Sequence, residues 1–300
     1  MEAVLSLNAI SKSYGKIKAL NNVSYDVPKG SVFGILGPNG SGKTTMLGIV
    51  LNALQPDSGN FTWFGEPGST TTRKRIGSLL ETPNFYHYLS AYDNLKITQA
   101  ISHRGNEADI HKALEIVNLT ERKNTRFSTY SLGMKQRLAI GAALLGNPEV
   151  IVFDEPTNGL DPVGILEIRE LIKQLSQEGK TIIMASHLLD EVEKVCTHVA
   201  IMKRGNLITA GAVDEVLSNE DIVEISSHSD QSKLIELFTN FSGVTHIKQA
   251  ANSTIQLYLS LGTANLEAVN KHCFDNGIIL NHLVLKKKSL ETKFFELTNN

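Results

Sequence analysis

Between Leu5 and Lys203 the chain carries short apolar runs that stop at glycine, serine or acidic residues. Val32-Phe33-Gly34-Ile35-Leu36, Val150-Ile151-Val152-Phe153 and Thr181-Ile182-Ile183-Met184-Ala185-Ser186 are the clearest. Runs that are apolar on consecutive positions fit strands covered on both faces, as in a parallel sheet. The pattern from Val150 to Lys203 alternates such strands with helical periodicity, which predicts βα units. From Val4 to about Trp63 the alternation has a period of two. It predicts antiparallel strands around the first apolar run, with turns at Pro28-Lys29-Gly30 and Pro56-Asp57-Ser58-Gly59. Residues 45–51 and 132–145 read as helices, and the whole stretch 90–145 reads as mostly helical. Arg204-Gly205-Asn206 is a hairpin turn signal, and a short helix at Val213–Leu217 is expected to close a first domain spanning 1–218.

The remainder, 219–300, has its own rhythm. A strand at Ile222–Ser226 is followed by a helix at Lys233–Phe241. Strands at Val244–Gln249 and Thr254–Leu259 flank Ala250-Ala251-Asn252-Ser253. A helix at Ala264–Asn276 stops at Gly277, and a last strand covers Ile279–Lys286. The order βαββαβ is the ferredoxin-like one. This small α+β domain holds no catalytic pattern, so dimerisation, docking or regulation is expected of it. The basic run Lys286-Lys287-Lys288 reads as a solvated end.

Two motifs sit on the predicted strand ends. Gly37-Pro38-Asn39-Gly40-Ser41-Gly42-Lys43-Thr44 fits the phosphate-loop pattern, with a strand before it and a helix after it. Its glycines let backbone N–H groups turn towards phosphate oxygens, and the helix N-terminus adds a positive dipole end. Lys43 is placed to reach the β- and γ-phosphates, and the Thr44 hydroxyl to ligate Mg²⁺. Asp154 and Glu155 follow the buried run Val150–Phe153, where charges must pair or bind metal. Asp154 can hold Mg²⁺ through water. Glu155 points elsewhere and can take a proton from an attacking water. His187 ends another strand of the same sheet, where it can bond a γ-phosphate and hold that water.

The order of motifs from Leu5 to Leu217 resembles the ATP-binding subunit of ATP-binding cassette (ABC) transporters. Tyr14 stands where the family has an aromatic that stacks on adenine. Gly37 to Thr45 is the phosphate loop. Glu81 stands where the family usually has glutamine. Tyr130-Ser131-Leu132-Gly133-Met134-Lys135-Gln136-Arg137 replaces the Leu-Ser-Gly-Gly-Gln signature. Asp154-Glu155, Asn158-Gly159-Leu160-Asp161 and Ser186-His187 complete the set. The resemblance implies a phosphate-loop ATPase with a parallel core sheet, an antiparallel β subdomain and a helical subdomain. It implies ATP and Mg²⁺ as ligands, with Thr44, Glu81 and Asp154 towards the metal. Asp161 joins the ATP-binding set.

The same resemblance implies partners. Ser131 is a good N-cap and Gly133 leaves the first turn bare, which makes an anion site. In the family that site meets the γ-phosphate held by a second cassette, head to tail, so a homodimer is expected. A separate membrane permease carries the cargo, and the subunit lies on the cytoplasmic face of the plasma membrane. The expected cargo is a peptide, an antibiotic or a lipid-like molecule for export. Leu132 and Met134 depart from the signature, but Ser131 and Gly133 remain. Glu81 adds a charge where the family has an amide, as in cassettes that export bacitracin-like or lantibiotic peptides. The loop Thr82–Leu95, with four aromatics, Phe85, Tyr86, Tyr88 and Tyr92, within eight residues, docks a permease helix, packs the helical subdomain or does both.

Composition narrows the classes. The chain has 300 residues, a net charge of −2 and 20% charged residues, which gives no nucleic-acid surface. No apolar run nears the roughly 20 residues needed to span a bilayer. The N-terminus lacks the features of a signal peptide. Two cysteines, Cys196 and Cys273, read as reduced thiols. A soluble ABC-type ATPase of translation is the rival, but such proteins usually carry two cassettes, and one set of motifs is present. No long heptad segment supports a chromosome-maintenance ATPase.

Overall fold

The computed structural model describes residues 2–80, 84–217, 220–227, 231–250, 254–260, 262–286, 290 and 294. It divides into two compact units, Met1–Ala212 and Val213–Asn300. The first unit ends where the last strand pairing, Ala212 with His198, ends. The short helix Val213–Leu217 therefore falls in the second unit, not at the close of the first.

In chain order the first unit contains β1 (Ala3–Tyr14), β2 (Ile17–Pro28), β3 (Val32–Leu36), α1 (Lys43–Val50), β4 (Ser58–Trp63), β5 (Glu66–Pro67), α2 (Thr70–Lys74) and β6 (Ile76–Leu79). Then follow α3 (Ala91–Ser102), α4 (Glu107–Ile116), α5 (Leu132–Leu144), β7 (Val150–Asp154), α6 (Pro162–Gln177), β8 (Thr181–Ser186), α7 (Leu189–Val195), β9 (His198–Lys203) and β10 (Asn206–Ala212). The main sheet has the order β10-β9-β3-β8-β7-β6. It is parallel from β9 to β6, and β10 is antiparallel at its edge. Every residue of β3, β7 and β8 is buried, as their unbroken apolar runs require.

A second, antiparallel sheet has the order β2-β1-β4-β5. Its inward residues, among them Leu5, Leu7, Leu20 and Trp63, share one core with Phe33 of β3 and Met46, Leu47 and Ile49 of α1. Two polar atoms in that core are satisfied. Trp63 Nε1 donates to the Val50 carbonyl at 2.8 Å, and the Tyr25 hydroxyl reaches Met46 Sδ at 2.8 Å. The helix that follows the phosphate loop is thus held by aromatic side chains of the β subdomain. Helices α3, α4 and α5 form the helical part, tied by Arg104, which donates to the Ala143 and Leu145 carbonyls at 2.8 and 2.6 Å.

The second unit runs α8 (Val213–Leu217), β11 (Glu220–Ser227), α9 (Gln231–Phe238), β12 (Val244–Gln249), β13 (Ile255–Ser260), α10 (Leu266–Asp275) and β14 (Leu280–Lys286). Its sheet order is β12-β13-β11-β14 with every pairing antiparallel, the ferredoxin-like arrangement. Alternate residues Val223, Ile225, Ile255, Leu257 and Leu259 face Leu234, Phe238, Val269 and Cys273 of the helices. Helix α9 stops three residues before the expected Phe241, where Thr239 Oγ1 back-bonds to the Ile235 carbonyl at 2.7 Å. Ala251, Asn252, Ser253, Lys287 and Lys288 lie outside the described residues.

Candidate active site

The phosphate loop leaves β3 at Leu36 and enters α1 at Lys43, two residues earlier than its apolar periodicity begins. Gly42 sits at the helix N-cap with φ +105°, where a side chain is strained. A Cβ there would also run into the Ala19 carbonyl, and one at Gly37 would meet Ser41 Oγ and the Met202 carbonyl. The loop is therefore a close-fitting cradle of bare backbone. No side chain caps α1, so its first N–H groups point out of the helix end. Ser41 Oγ is buried there without a hydrogen-bond partner in the protein. Lys43 is buried, and its Nζ donates to the Gly37 carbonyl at 2.7 Å and the Pro38 carbonyl at 3.4 Å.

Glu155 meets this lysine. Strand β7 ends at the buried Asp154, and Glu155 then takes φ +50°, a left-handed conformation uncommon for a residue with a side chain. Its N–H donates to the Ala185 carbonyl of β8 at 3.0 Å. The turned side chain places Oε1 3.5 Å from Lys43 Nζ and Oε2 2.8 Å from His187 Nδ1. The His187 backbone N–H also approaches Oε2, at 3.4 Å. With Nδ1 donating to the carboxylate, Nε2 remains on the far side of the ring. Strands β3, β8 and β7 lie side by side in the sheet, which brings Lys43 at the start of α1, His187 after β8 and Glu155 after β7 into one chain of contacts.

A cavity of about 490 Å³ opens on this chain of contacts. Tyr14, Ile17 and Lys18 wall one part, the loop residues Asn39, Gly40, Ser41, Gly42, Lys43, Thr44 and Thr45 another, and Glu155 and Arg204 complete it. Gly37 and Pro38 stand behind Lys43 as its carbonyl acceptors. Lys12, bonded to Asp57 at 2.8 Å, lies 5.9 Å over the Tyr14 ring. The hydrogen bond from Lys12 holds the Asp57 carboxyl below the usual carboxylate range.

Ser131, Gly133 and Asp161 are not cavity residues. Ser131 caps α5 by accepting from the Met134 N–H at 3.3 Å, and nothing stands within 4 Å of a Cβ built on Gly133. Asp161 caps α6 by accepting from the Gly164 N–H at 2.9 Å. Glu81 lies outside the described residues. Among the described residues no three His, Cys, Asp or Glu side chains cluster to cage a metal. The donors at hand, the Thr44 hydroxyl and the Asp154 carboxylate, are hard oxygens, the set that suits a cation completing its shell with phosphate and water.

Ile17, Lys18 and Arg204 were not anticipated. Arg204-Gly205-Asn206 was legible as a turn, but its place beside the phosphate loop depends on β9 pairing with β3. The aromatic segment splits. Phe85 and His87 pack on the buried Phe127, with ring centroids 5.2 and 5.6 Å away. Tyr86 and Tyr88 stand half or more exposed. Phe85 and Tyr86 line a groove of about 350 Å³ with Asn94, Ile97 and Ile101.

Comparison with known proteins completes the picture. Residues 20–158 match the family model described as ABC transporter. The bacitracin transport ATP-binding protein BcrA of Enterococcus faecalis is 34% identical over 99% of this chain and 97% of its own length. The lantibiotic transport ATP-binding protein SrtF of Streptococcus pyogenes is 38% identical over 74% of this chain and 99% of its own. A solved dimeric, post-hydrolysis state of the ATP-binding cassette MJ0796, bound to ADP and Pi, has a TM-score of 0.61. It is 27% identical and covers 70% of this chain and 98% of that one.

Proposed function

This chain belongs to the ATP-binding subunits of ABC transporters, and on that premise we propose how its residues hydrolyse ATP and what the hydrolysis drives. The observation that carries the reading is Glu155 held between Lys43 and His187 at the wall of the phosphate-loop cavity. Tyr14 stacks on the base, and the loop N–H groups and Ser41 bind phosphate oxygens. Lys43 shares its ammonium with the β- and γ-phosphates. Glu155, 3.5 Å from the Lys43 ammonium, accepts a proton from the attacking water. His187, oriented through Nδ1 by Glu155, offers Nε2 to the γ-phosphate. Thr44 and Asp154 would hold Mg²⁺, which when bound would supply charge neutralisation on the phosphates.

The Ser131–Gly133 end of α5 lies off the cavity, so its anion-binding N–H groups serve the γ-phosphate of a second copy. Two copies then bury two ATP molecules head to tail, and hydrolysis reopens them. The cycle drives a separate permease, which the exposed Tyr86 and Tyr88 and the groove beside them receive on the cytoplasmic face. The cargo is a peptide antibiotic of the bacitracin kind, moved outward. The relative named for bacitracin transport is matched through the tail, whereas the one named for lantibiotic transport matches about three quarters of this chain at its own full length.

Co-expression with the permease that co-purifies with it tests this reading. Sensitive cells should gain tolerance to bacitracin with the wild-type chain and not with Glu155→Gln. Equal tolerance with both would remove ATP hydrolysis from the function. Tolerance to a lantibiotic alone would move the cargo to that class.

A further inference from the structure

Besides Lys43 the ATP cavity is lined by two cations with no assigned role, Lys18 and Arg204, and we propose that Arg204 is a phosphate-binding residue of this site. The inference rests on reading the cavity as an ATP site. Arg204 occupies the turn between β9 and β10, and a hairpin turn ordinarily faces solvent. This one is clamped. The Gly205 N–H donates to the Ser41 carbonyl of the phosphate loop at 3.0 Å, and the Gly205 carbonyl accepts from the Asn21 N–H at 2.8 Å. Asn21 Nδ2 also donates to Asn206 Oδ1 at 2.8 Å. Gly205 is buried so tightly that a Cβ would stand 2.8 Å from the carbonyls of Lys18 and Ala19. The clamp fixes Arg204, an exposed residue, one residue from the loop, where it lines the same cavity as Tyr14, Ile17 and Lys18.

The turn itself does not call for arginine. Arg204 holds φ +48°, a left-handed conformation that asparagine or glycine adopts at lower cost. Among the described residues its guanidinium has no carboxylate partner. A cation in a strained backbone position, exposed at a cavity that the phosphate loop lines, fits a bidentate contact to phosphate oxygens. Position decides which phosphate. Glu155 meets the Lys43 ammonium, whereas Gly205 packs on the Lys18 and Ala19 carbonyls of the segment that follows Tyr14, the residue read as stacking on the base. Arg204 therefore serves the phosphates nearer the nucleoside, which ATP and ADP share.

Fluorescent ATP and ADP titrations of the full chain test this, with Arg204→Asn, Arg204→Lys and Lys43→Ala in parallel. Asparagine suits the left-handed turn, so R204N keeps or raises the melting temperature without nucleotide. It should weaken ATP and ADP by the same factor, about tenfold, and R204K should recover most of that loss. Wild-type affinity for both nucleotides in R204N, with loss in K43A, would overturn the role of Arg204 alone. A loss confined to ATP would overturn its placement at the shared phosphates. Undiminished binding in K43A would overturn the reading of the cavity itself.

Discussion

Replacing Glu191 by alanine tests how His187 is kept in place. His187 is followed by α7, which has seven residues and no side chain capping its N-terminus. Such a helix depends on tertiary contacts for its stability. The Leu188 N–H donates to Ser186 Oγ at 3.0 Å, which anchors the turn from β8. From the helix, Glu191 accepts from Arg169 of α6 at 2.6 Å, and the two side chains are only 7% and 14% exposed. Removing one partner of a buried pair costs about 3–5 kcal/mol, because the other charge is left behind. Asp190 stands 3.9 Å from the same guanidinium and takes up part of the charge. The expected cost is therefore lower, about 2–3 kcal/mol.

For a unit of this size each kcal/mol moves the melting temperature by about 2–4 °C, so a fall of about 4–12 °C is expected by calorimetry. Turnover should fall with it while ATP affinity holds, because the loosened α7 releases His187 from Glu155 and leaves the phosphate loop intact. Replacing both partners by leucine and methionine should recover most of the melting temperature. An E191A protein that melts within 1 °C of wild type, against the scale used above, would refute the buried-pair argument. An unchanged turnover in a protein that melts as expected would refute the link from α7 to His187.

Gly42→Ala should abolish nucleotide binding by equilibrium titration, since the new methyl group meets the Ala19 carbonyl and the φ of +105° is strained; retained affinity would show that the loop adapts. Phe238→Ala in the second core should destabilise that unit by about 3–5 kcal/mol, seen as an earlier calorimetric transition. The hydrogen bond from Arg75 holds the Glu149 carboxyl below its ordinary value. Its contribution is then complete above the unfolded glutamate pKa of about 4.3 and is lost as pH falls through the lower folded value. Wild type and Glu149→Gln should differ by about 0.5 kcal/mol at pH 7, as for an exposed pair, and converge in acid. A difference that grows on acidification would reverse the sign of the argument.

The phosphate loop was legible because its chemistry is local. A strand, three glycines and a lysine fall within one short segment, and the structure gathers the loop residues Asn39 to Thr45 into the cavity wall. Asp154, Glu155 and His187 were legible as strand-end residues of one sheet, but the direct contacts of Glu155 with Lys43 and His187 were not, because β3, β8 and β7 are neighbours in the sheet and far apart in sequence. The left-handed turn at Glu155 that aims its carboxylate has no sequence signal, since glutamate ordinarily avoids it. Arg204 was read as a turn residue, and the Arg169–Glu191 pair gave no signal. Both depend on which helix or hairpin packs against which. The order of the tail's elements followed from its period-two runs, while its helix ends shifted where Thr239 and Asn265 bond to local backbone.

The central claim is that Glu155 carries hydrolysis inside a pair of cassettes. Its most direct test is phosphate release and light-scattering mass with Mg-ATP, for wild type and Glu155→Gln side by side. The expected result is turnover in the wild type, and in E155Q an ATP-bound dimer that persists without turnover. A monomeric E155Q protein that releases phosphate at the wild-type rate would contradict the account.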